Sequence, residues 1–272
     1  MRLIDIGANL ADASFDGDRD AVIERAMKAG VTHMIVTGTG LEESEAALDL
    51  ARENSGIFRC TAGIHPHLAT RWTDAPQEAR GRLGGVLDNE LAVAAGECGL
   101  DYFRNLSPVD AQRAAFAGQL DLAAEHGKPV FLHQRDAHDD FLAILKEHEV
   151  GGLGGVAHCF TGGPEEAESY LDLGLHIGIT GWVLDKRRNH DLLRAIPLLP
   201  LDRVLLETDS PYLLPRHPDV KPRNRRRNEP RFLPYVARAL ARHMRVDPEE
   251  LAAAARGNTR KLFGWPEPED PS

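Results

Sequence analysis

Residues 129–133 read Pro-Val-Phe-Leu-His, an unbroken apolar run that ends on an imidazole. A run without polar alternation is what a strand covered on both faces requires, and such strands belong to parallel sheets flanked by helices. Working outward, the same kind of run recurs. We read eight strands: Leu3 to Ile6, Met34 to Thr37, Cys60 to Gly63, Val93 to Gly96, Pro129 to His133, Gly155 to His158, His176 to Ile179 and Val204 to Glu207.

Helical patterns fill the intervals, from about Asp20 to Ala29 and Glu42 to Glu53 among others. Ser107-Pro108-Val109-Asp110 predicts a helix start, with Ser107 as N-cap and Pro108 at the first helical position. Phe116, Leu120, Ala123 and Ala124 mark one face of that helix, and Gly127 supplies its stop. Thr161 to Pro164 opens another helix, which Gly174 closes. Strands alternating with helices imply βαβ units, and eight of them close a TIM (β/α)8 barrel of the α/β class. An open doubly wound sheet is the alternative, but no glycine-rich phosphate fingerprint follows any strand. A single barrel domain is expected over 1–265, with a flexible, acidic, proline-rich tail over 266–272.

The chain has 272 residues and a formal net charge of -10, which argues against bulk attraction to nucleic acid. Charge is uneven, however: KPRNRRR at 221–227 is a dense basic run. Three cysteines without paired spacing argue against a disulfide framework and for a reducing compartment. The apolar start is broken by Asp5, so neither a signal peptide nor a membrane span is expected, and the cytoplasm is the expected location.

The chemistry lies at the strand ends. Glu97 follows the fourth strand, His133 ends the fifth, His158 ends the sixth and Asp209 follows the eighth, at successive gaps of 36, 25 and 51 residues. A barrel brings all the C-terminal strand ends to one mouth, where active sites are built. Taken singly, each residue also reads as a core histidine or a helix cap. Four such residues at equivalent strand positions point jointly to a divalent metal site, and this mixed ligand set does not select among Zn, Mn, Mg and Fe. A metal there polarises a substrate oxygen and acidifies a water, and a free carboxylate beside it serves as general base.

Around that centre, His65 and His67 follow the third strand in GIHPH. Arg135 is placed to bind an anion, with pairing to a nearby acid as its alternative, and Asp136 to brace a ligand. The basic run around Arg225 and Arg226 follows the eighth strand, where barrels often bind phosphate. Tyr102, Phe160 and Trp182 read either as base-stacking rings or as packing.

The motifs DIGANL (5–10), TAGIHPH (61–67), GECGLDY (96–102), PVFLHQRDAH (129–138), HCFTG (158–162), IGITGW (177–182), LLETDSPYLLP (205–215) and RRNEP (226–230) resemble, in order, the TatD family of metal-dependent DNases. The resemblance extends to NTRKLFG at 258–264. It implies an amidohydrolase-like TIM barrel with 3′ to 5′ exonuclease activity on single-stranded DNA or RNA. It implies Mg²⁺ as cofactor, with Mn²⁺ or Zn²⁺ as alternatives. It further implies that Glu97, His133 and His158 ligate a metal, that Asp209 binds a second metal or acts as base, and that His65 contacts the scissile phosphate. The sequence departs from many relatives at Gly7 and Asn9, where they carry a His-x-His pair, so a weakened second metal site is expected. A monomer with no membrane contact is expected. The rival readings are a metal-dependent amidohydrolase or esterase, an aminoacyl-tRNA deacylase, and a non-catalytic nucleic-acid-binding barrel.

Overall fold

The computed structural model describes residues 1–224 and 226–266. Its eight strands are β1 (Leu3–Ala8), β2 (Val31–Val36), β3 (Phe58–Ala62), β4 (Ala92–Asp101), β5 (Val130–Arg135), β6 (Gly155–Ala157), β7 (His176–Ile179) and β8 (Val204–Leu206). They pair in sequence order, each parallel to the next. The seam between the last and first strands is closed just beyond β8. There Asp209 N donates to Gly7 O at 2.8 Å and Asn9 N donates to Ser210 O at 2.8 Å. The barrel expected from the apolar runs is therefore present.

Two apolar layers hold it. Ile4, Ile6, Ile35, Phe131, Val156 and Leu205 fill the interior, with Phe263 and Trp265 from the last helix, Pro248–Phe263, and the residues just after it joining them. The larger layer lies between the strands and the surrounding helices. The basic residues Arg59 and His33 pack against Trp265 at the strand-start end, so that end is shut and the opposite mouth is free.

The helix Val109–His126 ends on Gly127 in the left-handed region (φ 59°), as its glycine stop requires. Its start differs from expectation. Pro108 is the cap residue, and the Ser107 hydroxyl instead donates to His67 O at 2.9 Å, tying this helix to the loop after β3. The fourth strand is also longer than its apolar run. Gly96 and Gly99 adopt φ of 135° and 142°, and a Cβ on Gly99 would sit 1.9 Å from His133 O. Those two glycines let β4 run past Glu97 against the backbone of β5. Glu97 and His133 consequently lie inside strands rather than at their ends. The tail at 267–272 and Arg225 fall outside the described residues.

Candidate metal centre and active site

At the mouth, three imidazoles converge on one carboxylate oxygen. His133 Nδ1 donates to Glu97 Oε1 at 2.8 Å, His158 Nε2 stands 3.0 Å from it, and His65 Nε2 stands 3.3 Å from it. Each arrives from a different element: Glu97 from β4, His133 from β5, His158 just past β6, and His65 just past β3. Among the described residues, His65, Glu97 and His133 form a group whose ligand atoms all lie within 4.8 Å of one another. The buried His133 Nε2 has no close hydrogen bond: Asp101 Oδ2, whose charge helps raise the His133 ring, stands 3.5 Å away.

Electrostatics tighten the cluster. Burial alone would raise the Glu97 carboxyl, but His158, His65 and His133 outweigh it and hold it well below the usual carboxylate range. Burial would likewise lower His158, yet Glu207 and Glu97 on its two nitrogens raise it well above an ordinary histidine. His65 goes the other way. Burial takes it down to about 4 despite Glu97, so the ring is neutral, its Nδ1 accepting from His67 N at 3.1 Å and its Nε2 facing Glu97. The protein alone thus gathers protons onto histidines around a buried anion, which is the environment a divalent cation would complete. The donor set and the His133 nitrogen without a close hydrogen bond both fit such an ion.

Two supporting acids are not among the residues singled out from sequence. Glu207 Oε2 accepts from His158 Nδ1 at 2.9 Å and fixes that ring. A Cβ on Gly7 would sit 2.5 Å from Glu207 Oε2, and one on Gly178 would sit 2.6 Å from Oε1. Gly7 therefore makes room for the carboxylate that orients His158, so its lack of a ligand has a structural use. Asp101 Oδ2 lies 2.7 Å from His67 Nε2. Glu207 ends the eighth strand as read from the sequence, a strand-end signal like that of His133, whereas only the GECGLD motif points to Asp101.

Asp209 lies beyond the compact group. Asn9 Nδ2 donates to its Oδ1 at 3.1 Å. Burial pushes this carboxyl up to about 7 against the pull of His158, with Glu97 and Glu207 adding to the rise. Such a group can exchange a proton near neutral pH.

A cavity of about 1120 Å³ opens over these residues. Eight acidic side chains line it against two arginines, Arg104 and Arg135. Arg135 lies over the Phe103 ring at 3.8 Å. Asp136 is exposed on the wall, and Glu207 and Asp101, rather than Asp136, contact the histidines. Of the expected rings, Tyr102 hydrogen-bonds Asp140 at 2.7 Å and Phe160 is buried against Tyr170, so both pack. The exposed rings on this wall are instead Phe103 and Tyr212.

The basic run divides. Arg227 does not track a ligand. Its guanidinium makes two 2.8 Å bonds to Asp18 and lies 3.4 Å from the fully buried Glu229. Asn228 Nδ2 donates to Thr208 O at 2.9 Å. RRNEP is therefore largely a clamp on the segment that carries Asp209, since the half-exposed Asp18 and the buried Glu229 together draw Arg227 inward. Arg226 is exposed and lines a second cavity.

Residues 4–264 match the profile of the TatD related DNase family. The 3′-5′ ssDNA/RNA exonuclease TatD of Rahnella sp. is 51% identical over 261 residues, covering 96% of this chain and 98% of that one. The solved TatD homologue YjjV of Escherichia coli K12 is 31% identical with a TM-score of 0.87, covering 97% and 99% of the two chains. An uncharacterised amidohydrolase from Saccharomyces cerevisiae shares the fold, with a TM-score of 0.81 at 24% identity over 97% of this chain and all of its own.

Proposed function

The chain belongs to the family of TatD-related DNases, and from that membership we propose that it is a metal-dependent exonuclease that removes nucleotides from the 3′ end of single-stranded DNA or RNA. The observation that carries this reading is the meeting of His65, His133 and His158 on one oxygen of Glu97 at the barrel mouth. Those residues would hold a divalent cation, with Mg²⁺ the ion we favour. When bound, the ion supplies polarisation of the phosphoryl oxygen and acidification of water.

The remaining chemistry belongs to side chains. Asp209, buried and poised near neutrality, orients the attacking water and accepts its proton. Glu207 keeps the His158 ring in place. Arg135 offers positive charge to the phosphate in a cavity otherwise dominated by acids. A polyanion enters such a mouth only when cations offset its eight carboxylates, which makes seating of the strand end in the mouth, as well as catalysis, depend on metal. Phe103 and Tyr212 offer exposed rings on which bases stack without sequence preference.

The Glu97 cluster is complete within one chain, and a monomer is the active unit we favour. No helix among the described residues is long and apolar enough to cross a membrane. The three unpaired cysteines suit a reducing cytoplasm.

A 5′-labelled single-stranded oligonucleotide tests the reading. Stepwise shortening from the 3′ end with Mg²⁺, abolished by EDTA, is expected. Cleavage from the 5′ end, or cleavage indifferent to EDTA, would contradict it. Release of an amino acid from aminoacyl-tRNA with the RNA intact would favour the deacylase instead.

A further inference from the structure

Beside the acidic mouth lies a second cavity of about 840 Å³, and its charge is opposite. Its wall carries Arg187, Arg188, Arg216 and Arg226 against a single acid, Asp185. Asp185 is buried, with 7% of its side chain exposed, whereas the side chains of Arg187, Arg188 and Arg216 are 58%, 50% and 56% exposed. Arg187 grips both carboxylate oxygens, through Nε at 2.8 Å and Nη2 at 2.7 Å. Arg188 Nη2 reaches Oδ2 at 3.1 Å and Arg216 Nε reaches the same oxygen at 3.2 Å. Arg188 is further braced over the Trp182 ring at 4.2 Å.

One carboxylate cannot neutralise three guanidiniums. It instead fixes their positions from behind and leaves their outer donors, and most of their charge, facing the cavity. Arg226 adds a fourth cation, and no acid among the described residues pairs with it. Trp182 and Leu213 line both cavities, so the basic groove continues directly from the acidic mouth.

We propose that this groove binds the phosphate backbone of the substrate strand, taking the nucleotides on the 5′ side of those held in the mouth. The proposal rests on the exonuclease reading for the strand's direction. Guanidiniums fixed by a shared acid bind phosphates regardless of base, as an enzyme that digests any sequence requires. The groove also answers a difficulty set by the mouth, where eight acids outnumber the two arginines and disfavour a polyanion. An outer anchor keeps a long strand attached while its end is shortened.

The test compares a trinucleotide with dT20 as substrates of wild type and of Arg187→Gln/Arg216→Gln, in Mg²⁺ over a range of salt. In the variant, KM for dT20 should rise about tenfold with kcat little changed. The salt slope should fall by about 1.4, some 0.7 for each phosphate that the variant no longer neutralises. The trinucleotide, which offers the groove far fewer phosphates, should show a much smaller rise in KM. Arg226→Gln, which removes no paired group, should act in the same direction without risk to folding. Arg52→Gln, at the far end of the helix Leu41–Glu53, controls for net charge.

Fluorescence anisotropy of labelled dT20 in EDTA reads the groove without catalysis. Wild-type binding that weakens in the variant supports the proposal even if no nuclease activity is found, so failure of the exonuclease reading is separable from failure of the groove. Equal dT20 affinities, no wild-type binding in EDTA, or equal losses on both substrates would overturn it.

Discussion

At the residue scale, the centre depends on one oxygen shared by three rings. Glu97→Gln removes the charge that holds them, and kcat/KM on single-stranded DNA should fall by about a hundredfold or more. Glu207→Gln leaves the His158 ligand nitrogen but releases its ring. It should weaken the activating metal about 10- to 100-fold, measured as the Mg²⁺ concentration giving half-maximal rate, while kcat at saturating metal changes less. A histidine far from the mouth sets a pH response. Burial, with Arg260, Arg2 and Arg59 nearby, takes His33 down to about 4, whereas it charges near 6.5 when unfolded. The stability that comes from keeping it neutral is therefore present above pH 6.5 and lost as pH falls toward 4. Once solvent screening is allowed for, this amounts to about 1–2 kcal/mol. The melting temperature of His33→Gln should accordingly change less than wild type between pH 7 and pH 4.5.

At the scale of elements, strands carry the site, and two pieces of strand chemistry lie beneath what the sequence makes plain. The apolar runs locate all eight strands because strands buried on both faces are mostly apolar, with Asp5, His33 and Arg59 as interruptions in the first three. The true extent of β4 is hidden because Glu97, Asp101 and the glycines and alanines around them do not look like strand. Their place follows from a close approach to β5 that only the assembled barrel reveals. Gly99→Ala should therefore cost about 2–4 kcal/mol in urea denaturation, since a side chain there meets both an unfavourable φ and the His133 carbonyl. The roles of Gly7 and Glu207 are unreadable for a related reason, as the two residues lie 200 positions apart in sequence and meet only at the β1–β8 seam. The four ligand-type residues at the mouth are legible because barrel topology turns sequence order into spatial order. His65 is legible as a mouth residue, but its approach to Glu97 is not. In the basic run, Arg227 cannot be told from its neighbours without knowing that Asp18 and Glu229 wait beneath it.

At the scale of the whole molecule, an acidic protein meets a polyanionic substrate, and its charge is sorted to allow this. Carboxylates surround the mouth, where a cation is needed, and exposed guanidiniums surround the neighbouring groove, where a strand leads away. Metal binding should consequently stabilise the fold as well as activate it. At a concentration about 100 times its dissociation constant, an ion that binds only the folded chain adds about 2.7 kcal/mol, or roughly 5 to 10 °C in melting temperature. A thermal melt in Mg²⁺ against EDTA measures that difference, and Glu97→Gln should lose most of it. The sharpest measurement is mononucleotide release from the 3′ end of single-stranded DNA, titrated with Mg²⁺ for wild type and Glu97→Gln side by side. Saturable, EDTA-reversible release by wild type and near-silence from the variant at every metal concentration is the expected result. Release that persists in EDTA, or a variant as active as wild type, would contradict the assignment of the Glu97 cluster as the metal centre of this enzyme.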